Sequence, residues 1–102
     1  MEVSGAHYLH LDYKSKCTNL HGHNWIITVT VQSEEVDHNG MVVDFSKIKE
    51  IVNRFDHALI NDVMGDINPT AENMAKWLCD RIPHCVRVSV QETEGNVATY
   101  EK

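Results

Sequence analysis

The chain has 102 residues, enough for one domain with a modest hydrophobic core, and a single domain over residues 1–102 is expected. It carries 15 acidic against 9 basic residues, a formal net charge of −6, which argues against the basic patches of nucleic-acid binders. There is no apolar run of membrane length and no signal-peptide pattern, so a cytoplasmic location is expected. Three irregularly spaced cysteines do not suggest a disulfide framework, whereas seven histidines make metal or proton chemistry the first possibility to test.

The N-terminal segment, from Glu2 to His10, is predicted to be a β-strand. Because side chains alternate across a strand, one face would carry Val3, Gly5, His7 and Leu9. A polar loop that carries two lysines follows and leads to a cysteine.

Residues His21 to Gln32 show the strongest strand pattern in the chain. The odd positions carry His21, His23, Trp25 and three aliphatic residues, while the even positions are polar apart from one isoleucine. Both imidazoles are therefore predicted on the face that forms the apolar core, which is an unusual place for a histidine without a partner.

The middle of the chain is predicted to contain two helices. The first would begin after an N-cap at Asp44 and end near Asn61, because its apolar residues recur at helical spacing. The second would begin after an N-cap at Thr70 and stop at Pro83, which cannot continue a helix.

The last third returns to strands. Valines alternate through Cys85–Thr93, with Glu92 at the end of the valine row, and a turn at Glu94–Asn96 leads into Val97–Tyr100. The whole pattern predicts an α+β fold: an antiparallel four-stranded sheet with two helices on one face, in the order β-β-α-α-β-β.

The histidines suggest a metal site. An H-x-H pair on a strand points both rings the same way, about 7 Å apart along the chain, so both can reach one ion. His7 is the best candidate for a third ligand because it lies on the same predicted face, and His10, on the opposite face, is the weaker one. Neutral nitrogen ligands without clustered carboxylates favour zinc over magnesium or calcium. For any single histidine, ordinary burial with a hydrogen bond is the alternative.

A thiol lies four residues before this pair. Cys17 is next to Lys14 and Lys16, and nearby positive charge increases the thiolate fraction of a cysteine. That setting would suit a catalytic base or a nucleophile. Cys79 and Cys85 have no such setting and are predicted to be packing residues.

The sequence allows two roles for each of the carboxylates Asp56 and Glu92. Asp56 and His57 form a carboxylate–imidazole pair that either handles protons or lies on the surface at a helix end. Glu92 is either exposed at the tip of its strand or placed to accept hydrogen bonds from a ligand.

Six motifs, in this order and spacing, resemble the 6-pyruvoyltetrahydropterin synthase / 6-carboxytetrahydropterin synthase family of the tunnelling fold. The motifs are Val3–His7, Cys17-x-x-x-His21-Gly22-His23, Gly40–Phe45, Asp56-His57-x-x-Ile60-Asn61, Pro69–Asn73 and Glu92-Thr93. They span nearly the whole chain.

The resemblance implies a role for each candidate residue. It implies zinc bound by His7, His21 and His23, Cys17 as the catalytic base, Asp56 and His57 as proton-transfer residues, and Glu92 and Thr93 at the pterin. It also implies a homohexamer of two stacked trimers, in which the aspartate–histidine pair completes a site shared between subunits.

The four-residue spacing from Cys17 to His21 resembles the 6-carboxytetrahydropterin synthases of queuosine and 7-deazaguanine synthesis. The implied reaction converts 7,8-dihydroneopterin triphosphate into 6-carboxy-5,6,7,8-tetrahydropterin, with release of acetaldehyde and triphosphate. Lys14 and Lys16 are candidates for holding the triphosphate. The alternatives are 6-pyruvoyltetrahydropterin synthase activity on the same substrate, and a non-catalytic protein that binds zinc or a pterin.

Overall fold

The computed structural model describes all 102 residues. The elements are β1 (Glu2–His7), β2 (His21–Val31), α1 (Phe45–Val52), β3 (Ala58–Leu59), α2 (Ile60–Met64), α3 (Ala71–Arg81), β4 (Cys85–Thr93) and β5 (Asn96–Glu101). The five strands form one sheet in the order β3-β1-β2-β4-β5. Single 3₁₀ turns lie at Lys16–Thr18 and Asn53–Phe55. No helix combines the length and the hydropathy needed to cross a bilayer.

The predicted fold class, an antiparallel four-stranded sheet with two helices, is wrong. The four long strands pair antiparallel, β1 with β2, β2 with β4 and β4 with β5, but β3 adds a fifth strand parallel to β1. There are three helices rather than two. With only two residues, β3 is too short to show the alternation by which strands are recognised in a sequence.

The first helix is shorter than predicted because the chain leaves the helical path after Phe55. Asp56 is extended, with φ −75° and ψ 132°, and His57 has a φ of 52°, in the left-handed region that a right-handed helix excludes. This bend brings the chain to the edge of β1, where the His57 amide donates to the Ser4 carbonyl at 2.6 Å. The apolar residues keep helical spacing through the bend, so periodicity alone predicts one long helix.

The helices pack on one face of the sheet and enclose the core. Trp25 and Ile27 of β2 are completely buried together with Val88 and Val90 of β4, whereas the even-numbered residues of β2 are exposed. The alternation predicted for β2 is confirmed. The histidines at its start therefore point to the same side as the core.

Candidate metal centre

Three histidines and one glutamate converge at one end of the sheet. His7 ends β1 directly opposite His21, the first residue of β2, and His23 follows on the same face. Glu92 approaches from β4, and the potential ligand atoms of the four residues lie within 4.8 Å of one another. The structure thus brings together the three histidines proposed as ligands, and it adds a carboxylate to them.

Backbone carbonyls orient two of the imidazoles. Nδ1 of His7 lies 2.8 Å from the Pro69 carbonyl oxygen, and Nδ1 of His21 lies 2.6 Å from that of Asn19. A carbonyl only accepts, so Nδ1 donates in both rings, and in the neutral form Nε2 keeps its lone pair. Metal-binding histidines show this arrangement, in which the ring nitrogen away from the ion donates to a carbonyl or carboxylate.

His7 is buried within the protein, with 1% of its surface exposed. Burial is the main cause that lowers the pKa of His7 below 6.5, opposed by its bond to the Pro69 carbonyl and assisted by charge on His21. The ring is therefore neutral at neutral pH, which is the form that binds a metal ion. Its Nε2 has no hydrogen-bond partner.

The His23–Glu92 contact is close but poorly aligned. Nε2 of His23 lies 2.7 Å from Oε1 of Glu92, yet this nitrogen forms no hydrogen bond. A hydrogen bond also requires alignment of the donor with the acceptor, so the two groups face a common point without forming a hydrogen-bonded pair. Buried polar atoms without partners are rare, and an ion held by His7, His21 and His23 would account for both free nitrogens.

The donor set fits a transition metal ion such as zinc. Three imidazole nitrogens leave a fourth position for water, a carboxylate or a substrate, as in catalytic zinc sites. His7, His21, His23 and Glu92 therefore form a group that could hold a metal ion.

A β-bulge accompanies the position of Glu92. The pairing of β4 with β5 shifts register between Gln91 and Thr93, and Glu92 lies at the shift with its side chain 28% exposed. Bulges commonly re-aim side chains next to active sites. Thr93 is exposed, and its hydroxyl accepts a 2.8 Å hydrogen bond from the side-chain amide of Asn96.

A cleft of about 490 Å³ opens beside the metal-ligand group. Its lining includes His7 and Glu92, apolar residues such as Leu9 and Val97, and the polar side chain of Glu72. This volume lies within the range of about 300–1,000 Å³ that is usual for small-molecule sites.

Cys17 is tethered near this cleft but is not one of the four clustered residues. It lies half-buried in a 3₁₀ turn, and its carbonyl accepts a 2.8 Å hydrogen bond from the amide of Leu9, which lines the cleft. Cys79 and Cys85 are buried in the core, as predicted for packing residues.

The structure does not bring Asp56 and His57 to the metal-ligand group of their own chain. Oδ1 of Asp56 accepts a 2.9 Å hydrogen bond from the Ser4 amide, and Oδ2 lies 3.8 Å from Nε2 of His57. The His57 side chain is 85% exposed and lines a depression of about 530 Å³ together with Gly22 and with His23 of the metal-ligand group. His10, the weaker candidate ligand, is exposed and lies outside the group.

Two parts of the centre were not predicted from the sequence. The carbonyls of Asn19 and Pro69 are backbone groups that every residue has, so the residue types do not show which carbonyls will meet an imidazole. The approach of Glu92 to His23 depends on how β4 lies beside β2, and only its place at the end of the valine row hinted at an inward direction.

Comparisons with known proteins agree with this architecture. The model of the family described as 6-pyruvoyl tetrahydropterin synthase matches residues 1–102. A 6-carboxy-5,6,7,8-tetrahydropterin synthase of Bacillus subtilis (strain 168) is 32% identical, over 98% of this chain and 80% of its own. A putative enzyme of the same name from Archaeoglobus fulgidus is 40% identical, over 81% and 76%. The structure of Caenorhabditis elegans 6-pyruvoyl tetrahydropterin synthase matches with a TM-score of 0.76 at 27% identity, covering 100% of this chain and 91% of that one. The chain therefore belongs to the 6-pyruvoyl tetrahydropterin synthase family, a family of pterin synthase enzymes.

Proposed function

We propose that the protein is a zinc-dependent lyase that converts 7,8-dihydroneopterin triphosphate and water into 6-carboxy-5,6,7,8-tetrahydropterin, acetaldehyde and triphosphate. The observation that carries the proposal is the convergence of three imidazoles and a carboxylate beside a cleft. Relatives named 6-carboxy-5,6,7,8-tetrahydropterin synthase, 32% and 33% identical to this chain, support the choice of reaction. The proposal places the protein in the cytoplasm, in queuosine and 7-deazaguanine synthesis.

In this proposal His7, His21 and His23 hold the zinc, which supplies a Lewis acid at the hydroxyl-bearing side chain of the substrate. The carbonyls of Asn19 and Pro69 accept hydrogen bonds from two of these rings and hold them in place. Little reorganisation is then needed on binding, which favours both affinity and a defined geometry.

Glu92 would anchor the pterin ring. A carboxylate only accepts hydrogen bonds, so it matches the exocyclic amine and the ring N–H donors of a pterin. Its position on the cleft wall, close to Nε2 of His23, would set the ring at a fixed distance from the metal-ligand group. Thr93 follows it at the rim and is the second proposed contact.

Cys17 would act as the base that removes a proton from the substrate side chain. Lys14 and Lys16 lie in the same loop, are exposed and form no ion pair within the chain, so both are free to contact the triphosphate. Since the chain as a whole is acidic, this local positive charge would favour an anionic substrate at this position.

Asp56 and His57 would complete the site of a neighbouring subunit in a homohexamer built from two trimers. The His57 side chain is 85% exposed beside β3, and neither residue belongs to the metal-ligand group of its own chain, which supports this assignment. The pair would assist proton transfer there, since a carboxylate beside an imidazole stabilises the protonated ring.

The test is incubation of zinc-loaded protein with 7,8-dihydroneopterin triphosphate, with mass detection of the pterin and enzymatic detection of acetaldehyde. We expect 6-carboxy-5,6,7,8-tetrahydropterin and acetaldehyde in equal amounts. A pyruvoyl-tetrahydropterin product without acetaldehyde would favour 6-pyruvoyltetrahydropterin synthase activity instead. Binding of the substrate with no product in zinc-loaded protein would favour a non-catalytic role.

A further inference from the structure

The outer edge of the segment that follows β1 is paired by side chains instead of by a strand. The amide of Asn61 accepts from the backbone N–H of Tyr8 at 3.0 Å and donates to its carbonyl at 2.9 Å. Asn68 does the same for His10, at 2.9 and 3.0 Å. Each asparagine thus makes the two hydrogen bonds that a residue of an adjacent antiparallel strand would make.

The inner edge of the same segment holds the loop that carries Cys17. Leu9 lies between Tyr8 and His10, and its amide donates to the Cys17 carbonyl at 2.8 Å. Apart from hydrogen bonds within the loop itself, residues 12–20 make only one other, in which the Asn19 carbonyl accepts from the ring of His21. The location of the thiol therefore depends on how firmly residues 8–10 are held.

The same two asparagines are connected to the metal-ligand group. His7 directly precedes residues 8–10, and its ring donates a hydrogen bond to the carbonyl of Pro69, the residue after Asn68. The Asn68 carbonyl in turn accepts a 2.9 Å hydrogen bond from Asn73 in the first turn of α3. One short stretch of chain thus fixes both the His7 ring and the backbone that supports the thiol loop.

We propose that Asn61 and Asn68 are positioning residues that hold Cys17 in a fixed place relative to the three histidines. Asparagine suits the task because its side chain offers both a donor and an acceptor, whereas aspartate lacks the donor. The catalytic meaning of this placement rests on the proposed function, in which Cys17 is the base. The placement itself needs neither metal nor substrate.

The first test uses the unaltered protein. Hydrogen exchange followed by NMR should show the amides of Tyr8, Leu9 and His10 protected by at least about 100-fold relative to those of Lys14 and Lys16. Exchange of the three amides at the rate of the loop lysines would overturn the proposal, because the hydrogen bonds to residues 8–10 would then not persist in solution.

The second test compares Asn68→Asp with Asn53→Asp. The control makes the same charge change at an exposed asparagine whose side chain forms no hydrogen bond. In metal-free protein that is folded by circular dichroism, we expect alkylation of Cys17 by iodoacetamide to accelerate at least about fivefold in Asn68→Asp, because a loosened loop exposes the thiol. The control should stay within about twofold of the parent.

Turnover gives a third readout. In Asn68→Asp we expect kcat to fall about 10- to 100-fold with KM changed less than about threefold, since a misplaced base affects the chemical step more than binding. A folded Asn68→Asp protein with unchanged alkylation and unchanged kcat would overturn the proposal. A folding defect without any change in thiol reactivity would reveal a merely structural role.

A replacement variant and the measurements that need no turnover cover two further outcomes, a folding failure and an inactive parent protein. If Asn68→Asp does not fold, Asn68→Ala removes the same hydrogen bonds without adding a charge and is held to the same alkylation criterion. If the parent protein shows no turnover, the proposed function fails, while hydrogen exchange and alkylation still decide whether the asparagines position the thiol.

Discussion

At the scale of single residues, backbone carbonyls of the protein itself orient two imidazoles of the metal-ligand group. Strand alternation was enough to predict His7, His21 and His23 on one face, because both strands carry a clear apolar row beside them. What alternation could not predict is the orientation of each ring, which is set by carbonyls of Asn19 and Pro69. Side-chain direction follows from the local sequence, whereas these partners come from loops.

Replacing the proposed base should separate catalysis from metal binding. For Cys17→Ala we expect kcat on 7,8-dihydroneopterin triphosphate to fall about 10²- to 10⁴-fold, the usual contribution of a positioned acid or base. Zinc content should stay unchanged because Cys17 is not in the four-residue group. Cys85→Ala is the control, as its thiol is buried in the core. Undiminished turnover in Cys17→Ala would contradict the assigned role.

The buried thiol of Cys79 should make stability depend on pH in the alkaline range. Burial, with the neighbouring thiol of Cys85, raises the pKa of Cys79 from 9.0 to about 12. Because the folded-state pKa is the higher one, this stabilisation is complete below pH 9.0 and is lost as the pH rises toward about 12.

Urea unfolding at several pH values measures this effect. Between pH 8 and about pH 10.5 we expect the parent's free energy of unfolding to fall by about 1–2 kcal/mol more than that of Cys79→Ala. The comparison cancels the tyrosines and lysines that both proteins share. Parallel pH profiles for the two proteins would show that the thiol ionises equally in both states.

At the scale of elements, β1 is packed against its neighbours more tightly than its residues suggest. A Cβ on Gly5 would lie 2.7 Å from the Phe55 carbonyl oxygen and 3.0 Å from Cδ1 of Ile60. The Gly5 carbonyl also accepts a 3.1 Å hydrogen bond from the Trp25 indole. The bend after Phe55 that creates this contact also produces β3 and α2, and the short lengths of these elements explain why the sequence did not reveal them.

A pair of glycine substitutions tests this packing. Gly5→Ala should lower the free energy of unfolding by about 1–3 kcal/mol, because the nearest atom is backbone and cannot move away cheaply. In Gly22→Ala, in the neighbouring strand, the new Cβ would meet only the Gly5 oxygen at 3.7 Å, so we expect a change within about 0.5 kcal/mol. Equal destabilisation in urea titrations of the two variants would contradict the close approach at Gly5.

At the scale of the whole molecule, the sheet has two unlike edges. The β1 side is covered by β3, Asp56 and the two asparagines, whereas β5 has no strand on its outer side. An unpaired edge strand favours association with another chain, which agrees with the proposed oligomer. The four long strands followed from alternation and turn residues, whereas the parallel strand β3, the short helix α2 and an edge capped by side chains have no comparable signature.

Mixing two inactive variants tests the shared site. If Cys17 of one subunit works with His57 of another, co-assembled Cys17→Ala and His57→Ala chains in equal amounts should regain roughly a quarter of parental activity, since random assembly makes that fraction of sites complete. Each variant alone should remain inactive after the same unfolding and reassembly. Absence of any recovery in verified mixed oligomers would place both residues in the site of one chain.

The central claim is that His7, His21 and His23 bind one metal ion, and anomalous diffraction from zinc-loaded crystals at the zinc edge tests it most directly. We predict one peak per chain within about 2.0–2.1 Å of Nε2 of each of these histidines, and none in crystals of His23→Ala treated identically. A peak elsewhere in the chain, or no peak in zinc-loaded parent crystals, would contradict the account.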